Sequence, residues 1–244
     1  MSSNQLNTLP SSIARHLALL SMCLLGVFPA RAELPTKPTL VNPPQTRSAS
    51  LVADRIRFAF EPSNQFLIKV AVRNIQSRSP FISMLTDKGN CLIVINTQPE
   101  SWAAWKAFRD QGNLGEAESY YFALLHELGH CVNKLNPTSS RQLFSEGYQS
   151  EFYADVFALV AAKRLLNKDS YQAIAEGVIR ARIGQQRWYS PRTHATGRPL
   201  ESVYQLLKSM DTETSLGSAS LEQQSVDLIE RSKATNTSLA FNPN

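Results

Sequence analysis

The stretch Tyr121–His130, reading YFALLHELGH, leaves this chain little conformational freedom. Its two histidines, His126 and His130, stand four residues apart within an apolar stripe formed by Ala123, Leu124, Leu125 and Leu128. On an α-helix a spacing of four returns side chains to one face, about one turn apart. Two imidazoles so placed can share one metal ion, each at roughly 2.0–2.1 Å if the ion is Zn²⁺. Glu127, one position on, points too far round the helix to bind in the same way. It stands where a general base for a metal-activated water is needed. Glu116 and Glu118 suit the positive end of such a helix. A hydrogen-bonded core pair of histidines is the competing reading, so the context of the motif has to decide.

A catalytic zinc normally takes three protein ligands and a water. An extension with Gly at 133 and His at 136 is absent, since the chain has Asn133 and Asn136. Further on, Glu151-Phe152-Tyr153-Ala154-Asp155 again places two carboxylates four apart. Phe152, Ala154, Val156, Phe157, Leu159 and Val160 make that helix largely apolar, and buried carboxylates there need partners. A solvated polar face is the alternative.

With H-E-x-x-H at 126–130 and E-x-x-A-D at 151–155, the chain resembles the gluzincins, zinc peptidases of the zincin fold; the asparagines set it apart from the metzincins. The resemblance is specific over residues 120–158 and thin elsewhere. It implies a zinc metallopeptidase acting on a peptide or protein substrate. His126, His130 and Glu151 would bind Zn²⁺, with Glu146 in reserve. Asp155 would accept a hydrogen bond from the outer nitrogen of a ligand histidine, His126, and so set its tautomer. Glu127 would carry a proton from the attacking water to the leaving amine. Gluzincins also supply a later His or Tyr to steady the oxyanion, which here singles out His194, with Tyr189 and Arg192 behind it. A surface histidine in a polar loop is the other reading of His194. Three rival functions stand beside peptide hydrolysis. These are an inactive zincin-fold adaptor, which would not need Glu127, an amidase acting on cell-wall peptide, and a metal-free binding domain with a chance motif.

Residues 1–32 have Arg15 and His16, an apolar run from Leu17 to Phe28, and Ala30-Arg31-Ala32 at their end. That order describes a secretory signal peptide cut after Ala32 and predicts an exported protein, periplasmic or secreted. The apolar run is short for a membrane span. Cys23 raises the question of a lipoprotein, but Met22 before it fits poorly. No later stretch reaches transmembrane length, so no stable membrane insertion is expected after cleavage. Residues 1–32 hold two of the 25 basic residues and none of the 20 acidic ones, so the net charge drops from +5 to +3 without them. Such a mild balance, with no run of Lys and Arg interleaved with aromatics, argues against a nucleic-acid partner. Removing the leader also leaves two cysteines, Cys91 and Cys131, an even number in an oxidising compartment. A disulfide between them would staple the histidine helix to a strand, and two free buried thiols are the alternative.

The remainder predicts an α+β, zincin-like fold, in which a small mixed or antiparallel sheet packs on the histidine helix ahead of a mainly helical C-terminal part. Residues 33–50 read as an extended lead-in, 51–210 as the domain, and 211–244 as a polar tail with a possible helix from Leu221 to Lys233. Alternation of Ile56, Phe58 and Phe60 suggests a strand over 55–60. Residues 65–76 fit both periods and lean to helix, with Ser63 or Asn64 as cap. Phe81–Leu85 and Cys91–Ile95 around Gly89 predict a hairpin. Cys91–Asn96 could then be the sheet edge that pairs with an extended substrate, or else a core strand. Short helices are expected from Ser101, as cap, to Asp110, from Tyr171 to Ile183, and from Pro199 to Met210.

Overall fold

A computed structural model describes residues 44–61, 67–135, 147–188, 194–210 and 218–235. The expected signal peptide, Glu146, Tyr189 and Arg192 lie outside the described residues, as do the proposed caps Ser63 and Asn64. The fold is mixed α+β and mostly helical. In chain order it runs α1 (Pro44–Phe60), β1 (Ile68–Arg73), β2 (Phe81–Leu85), β3 (Cys91–Asn96), α2 (Pro99–Gly112), α3 (Glu116–Leu135), α4 (Gly147–Leu165), α5 (Lys168–Trp188), α6 (Gly197–Lys208) and α7 (Ser218–Thr235).

The first departure from the sequence reading is α1. Its buried residues, Ala49, Val52, Ala53, Ile56 and Phe60, recur every three or four positions, the period of a helix packed on one face. Phe58 breaks the supposed alternation by standing 83% exposed. Neither the extended lead-in, over 44–50, nor the strand over 55–60 forms, and a single helix replaces both. The second departure is β1, where the sequence leans to helix. Ile68 to Arg73 instead pairs in parallel with β3, Ile68 opposite Cys91 and Arg73 opposite Asn96. Burial of Ile68 with β3 decides between two local periods that the sequence leaves nearly equal.

The hairpin of β2 and β3 forms as expected, antiparallel, with Phe81 opposite Ile95 and Leu85 opposite Cys91. Strand order is β1-β3-β2, so β3 is central and not the edge. Its near-continuous apolar run, Cys91-Leu92-Ile93-Val94-Ile95, is what a strand flanked on both sides carries. Asn96 closes the sheet. Its side chain donates to the carbonyls of Ser77 (3.0 Å) and Ser79 (3.2 Å) and accepts from the backbone of Ile75 and Gln98. The turn into α2 follows, with Pro99 at the helix start and Gln98 as the capping position; Ser101 lies inside the helix and donates back to the Gln98 carbonyl. Asn113, in the left-handed region at φ 50°, ends α2 ahead of α3.

Helices α1 and α3 pack against the sheet, and α4 is the hub behind α3. Every residue of α4 from Phe152 to Ala162 is buried, since α3, α5, α6 and α7 all pack on it. A helix covered all round has little amphipathic pattern, which fits its nearly unbroken apolar sequence. Helix α7 contributes Leu221, Leu228 and Ile229 to the core, so this part of the expected polar tail is built into the fold. No described helix is long and apolar enough to cross a membrane.

Candidate metal centre

Helix α3 carries the histidine motif, and its apolar stripe is what seats it. Leu124, Leu125, Leu128 and Val132 are fully buried against the sheet and α4. Cys91, first residue of β3, is disulfide-bonded to Cys131, with Cα atoms 5.6 Å apart. The bond ties the residue after His130 to the central strand. On the opposite side α4 comes unusually close. A Cβ on Gly129 would sit 3.1 Å from the Ala154 Cα and 3.1 Å from the Phe157 Cβ. A glycine facing a small residue at the helix crossing brings Glu151, one turn before Asp155, up to the two histidines.

Three donors converge there. One atom each from His126, His130 and Glu151 lies within 4.8 Å of the other two. The Nε2 atoms of His126 and His130 are 3.1 Å apart. Glu151 Oε2 is 3.2 Å from His126 Nε2, and Oε1 is 3.5 Å from His130 Nε2. Ligands about 2.0–2.1 Å from a tetrahedral ion lie about 3.3 Å from each other, so the three separations suit a single ion. Buried Oε2 makes no hydrogen bond despite its nearness to imidazole nitrogens. The three donor atoms are gathered at one point, where a cation would take the place of the contact between the two Nε2 atoms.

The outer ring nitrogens are held. His126 Nδ1 is 2.8 Å from Asp155 Oδ1, and His130 Nδ1 is 3.2 Å from Ser150 Oγ. Both partners lie on α4, and each leaves Nε2 turned to the centre. Asp155 is wholly buried and is held further by Arg182 and Thr196.

The electrostatics follow from these contacts. Burial opposes charge on His126, but Asp155 and Glu151 outweigh it and push its pKa up to about 10. Burial also opposes charge on Glu151, yet the surrounding imidazoles of His126, His130 and His194 hold it far below the usual carboxylate range. In the same way Asp155, despite full burial, is held at about 2 by Arg182 and His126. Two ionised carboxylates therefore flank the histidines, a field that favours a bound cation.

His194 also comes to the site. Its Nε2 is 3.0 Å from Glu151 Oε2, with the side chain half exposed. Glu127 follows His126 on α3 and is partly exposed. The residues the sequence did not single out are Ser150, Arg182 and Thr196. Ser150 is one residue before Glu151 and four after Glu146, so its position was legible but its role was not. Arg182 and Thr196 stand in no motif and reach Asp155 only through folding.

Compared with protein-family models, curated proteins and solved structures, the chain matches none.

Proposed function

We propose that the protein is an exported zinc metallopeptidase of zincin-like fold, with His126, His130 and Glu151 as the zinc ligands. The observation that carries this reading is the convergence of three donor atoms from α3 and α4, with the outer nitrogen of each histidine already engaged. Two imidazoles, neutral once a metal displaces their inner protons, and one carboxylate, fixed from behind, are a donor set suited to zinc with a position left open. When bound, zinc supplies Lewis-acid polarisation and makes water acidic enough to act near neutral pH.

The chain's own residues do the rest. Glu127 takes the proton from the water that attacks the scissile carbonyl and passes it to the leaving amine, so the same carboxylate is base and then acid. His194, half exposed at the rim of the cluster, donates to the oxygen that gains charge during attack. Asp155 and Ser150 keep the histidine rings from turning. The leader at 1–32 supports export, where a Cys91–Cys131 bond is stable.

Metal content of the purified, never-chelated protein tests this directly. One zinc per chain is expected in the wild type and in Glu127→Gln, with much weaker retention in Glu151→Ala. Hydrolysis of a peptide library should require both the metal and Glu127. A folded wild-type protein without zinc, or a Glu127→Gln protein as active as wild type, would sink the peptidase reading.

A further inference from the structure

Arg182 on α5 is 27 positions from Asp155 in sequence, yet its guanidinium is buried against that carboxylate. Nη2 donates to Oδ1 at 2.7 Å and Nε to Oδ2 at 3.0 Å, the two-pronged grip that a planar fork makes and an ammonium does not. Nη1 donates to Gln185 at 3.1 Å. The guanidinium carbon lies 5.3 Å from the ring centre of Phe108 and 5.7 Å from that of Phe122. Phe122 is one turn before His126 on α3, and its ring centre is 5.8 Å from that of His126. Arg182 thus meets both the partner of His126 and an aromatic ring beside it.

Asp155 has little freedom left. Oδ1 meets His126 Nδ1 and Arg182 Nη2, while Oδ2 accepts from Arg182 Nε and Thr196 Oγ1. A carboxylate offers about four lone-pair directions, and all are used. Thr196 is two residues after His194, so the same carboxylate also anchors the segment that brings His194 to Glu151. A buried ion pair is a poor device for stability alone, because desolvation of the two charges offsets most of their attraction. Its geometry here serves orientation.

We propose that Arg182 is a positioning residue for the metal centre. By gripping both oxygens of Asp155, including the Oδ1 that meets His126, it keeps the hydrogen of that imidazole on Nδ1 and its Nε2 turned towards the ligand point. The inference rests on the metal-binding reading above and extends it to a residue outside both motifs.

The test uses the full chain and reads zinc affinity by competition with a chromophoric chelator, beside thermal unfolding. Arg182→Met should weaken zinc binding about 10- to 100-fold, the range typical of partners behind a ligand histidine. Arg182→Lys, which restores charge but not the fork, should recover only part of the loss. In an Asp155→Asn background, adding Arg182→Met should change affinity by less than about twofold, because the effect passes through Asp155. Should Arg182→Met be too unstable to fold, Arg182→Lys and the double variant, which leaves no unpaired buried charge, carry the comparison. Wild-type affinity in a folded Arg182→Met protein, or an undiminished effect in the Asp155→Asn background, would overturn the proposal. A second arm needs no metal. In chelated protein, nitrogen-15 NMR should find the His126 Nδ1–H protected from exchange in wild type and unprotected in Arg182→Met. If wild type binds no zinc while this difference persists, the peptidase reading fails and the control of His126 by Arg182 stands. If protection is equal in both proteins, Arg182 does not position His126.

Discussion

At the scale of single residues, the two histidines proposed as metal ligands differ in how they are held. His126 Nδ1 leans on a saturated, charged Asp155, whereas His130 Nδ1 meets the hydroxyl of Ser150 at 3.2 Å. Ser150→Ala should therefore weaken zinc binding by about tenfold, the lower end for such partners, with thermal stability little changed. Chelator competition beside thermal unfolding separates the two effects. His194 contacts Glu151, the proposed third ligand, and is half exposed, so on the proposed function it is open to a substrate. His194→Ala should keep the zinc and lower kcat by about 100-fold with a small change in KM, as loss of one oxyanion donor does. Loss of zinc from that variant would instead make His194 part of the metal's support. The histidine pair, Glu151 and Asp155 were legible because each pair repeats at the helical spacing of four. Arg182 was not, since an arginine on a mixed helix surface carries no local sign of where its guanidinium ends.

At the scale of elements, the decisive contact is the crossing of α3 and α4 at Gly129. A methyl group there meets the Ala154 backbone and Phe157 at 3.1 Å, and a backbone atom cannot swing aside. Gly129→Ala should cost about 1–3 kcal/mol by overpacking. It should also weaken metal binding, because moving α4 outward carries Glu151 with it. Denaturant titration and zinc competition on the same protein check both. The other tie on α3 is the Cys91–Cys131 bond, which closes a 40-residue separation. Its removal by Cys91→Ser with Cys131→Ser should lower stability by about 2–4 kcal/mol, with the zinc site retained at low temperature. Equal denaturation midpoints for oxidised and reduced protein would refute this. Among the elements, α3, α4 and the β2–β3 hairpin were legible from period, turn residues and apolar runs. The strand proposed over 55–60 was not real because three alternating residues also fit half of a helical pattern. Only burial of Ala49, Val52, Ala53 and Ile56 distinguishes the two.

For the whole molecule, α4 sits among α3, α5, α6 and α7. Helix α7, in a stretch that reads as polar, packs Leu221, Leu228 and Ile229 into the core. Truncation before residue 218 should expose them and lower the thermal midpoint markedly, a result unfolding experiments would show. Alkaline behaviour follows from two buried phenols, Tyr120 and Tyr171. Burial, and for Tyr120 also the nearby Glu116, raises the hydroxyl pKa of Tyr120 and Tyr171 well above the ordinary value. A raised folded pKa contributes stability that is fully present below about pH 10 and is lost as pH climbs beyond it towards the folded value. Tyrosinate absorbance should therefore lag behind that of free tyrosine above about pH 10 and then rise together with unfolding. Early ionisation of all tyrosines in the native protein would contradict the burial of these two.

What the sequence determined by itself was whatever repeats along one stretch of backbone. It includes the helix bearing His126, Glu127 and His130, the second helix with Glu151 and Asp155, the Gly89 hairpin and the even pair of cysteines. Covalent spacing sets these, because a helix or a hairpin turns side chains to predictable faces within a few residues. Tertiary structure alone decided that β3 is central, that 68–73 is a strand, that α1 is a helix, and that Arg182 and Thr196 close on Asp155. Those outcomes depend on which distant surfaces bury one another. Where two local periods are nearly equal, or a polar side chain reaches across helices, the free energy of burial and hydrogen bonding makes the choice, and the local sequence does not contain it.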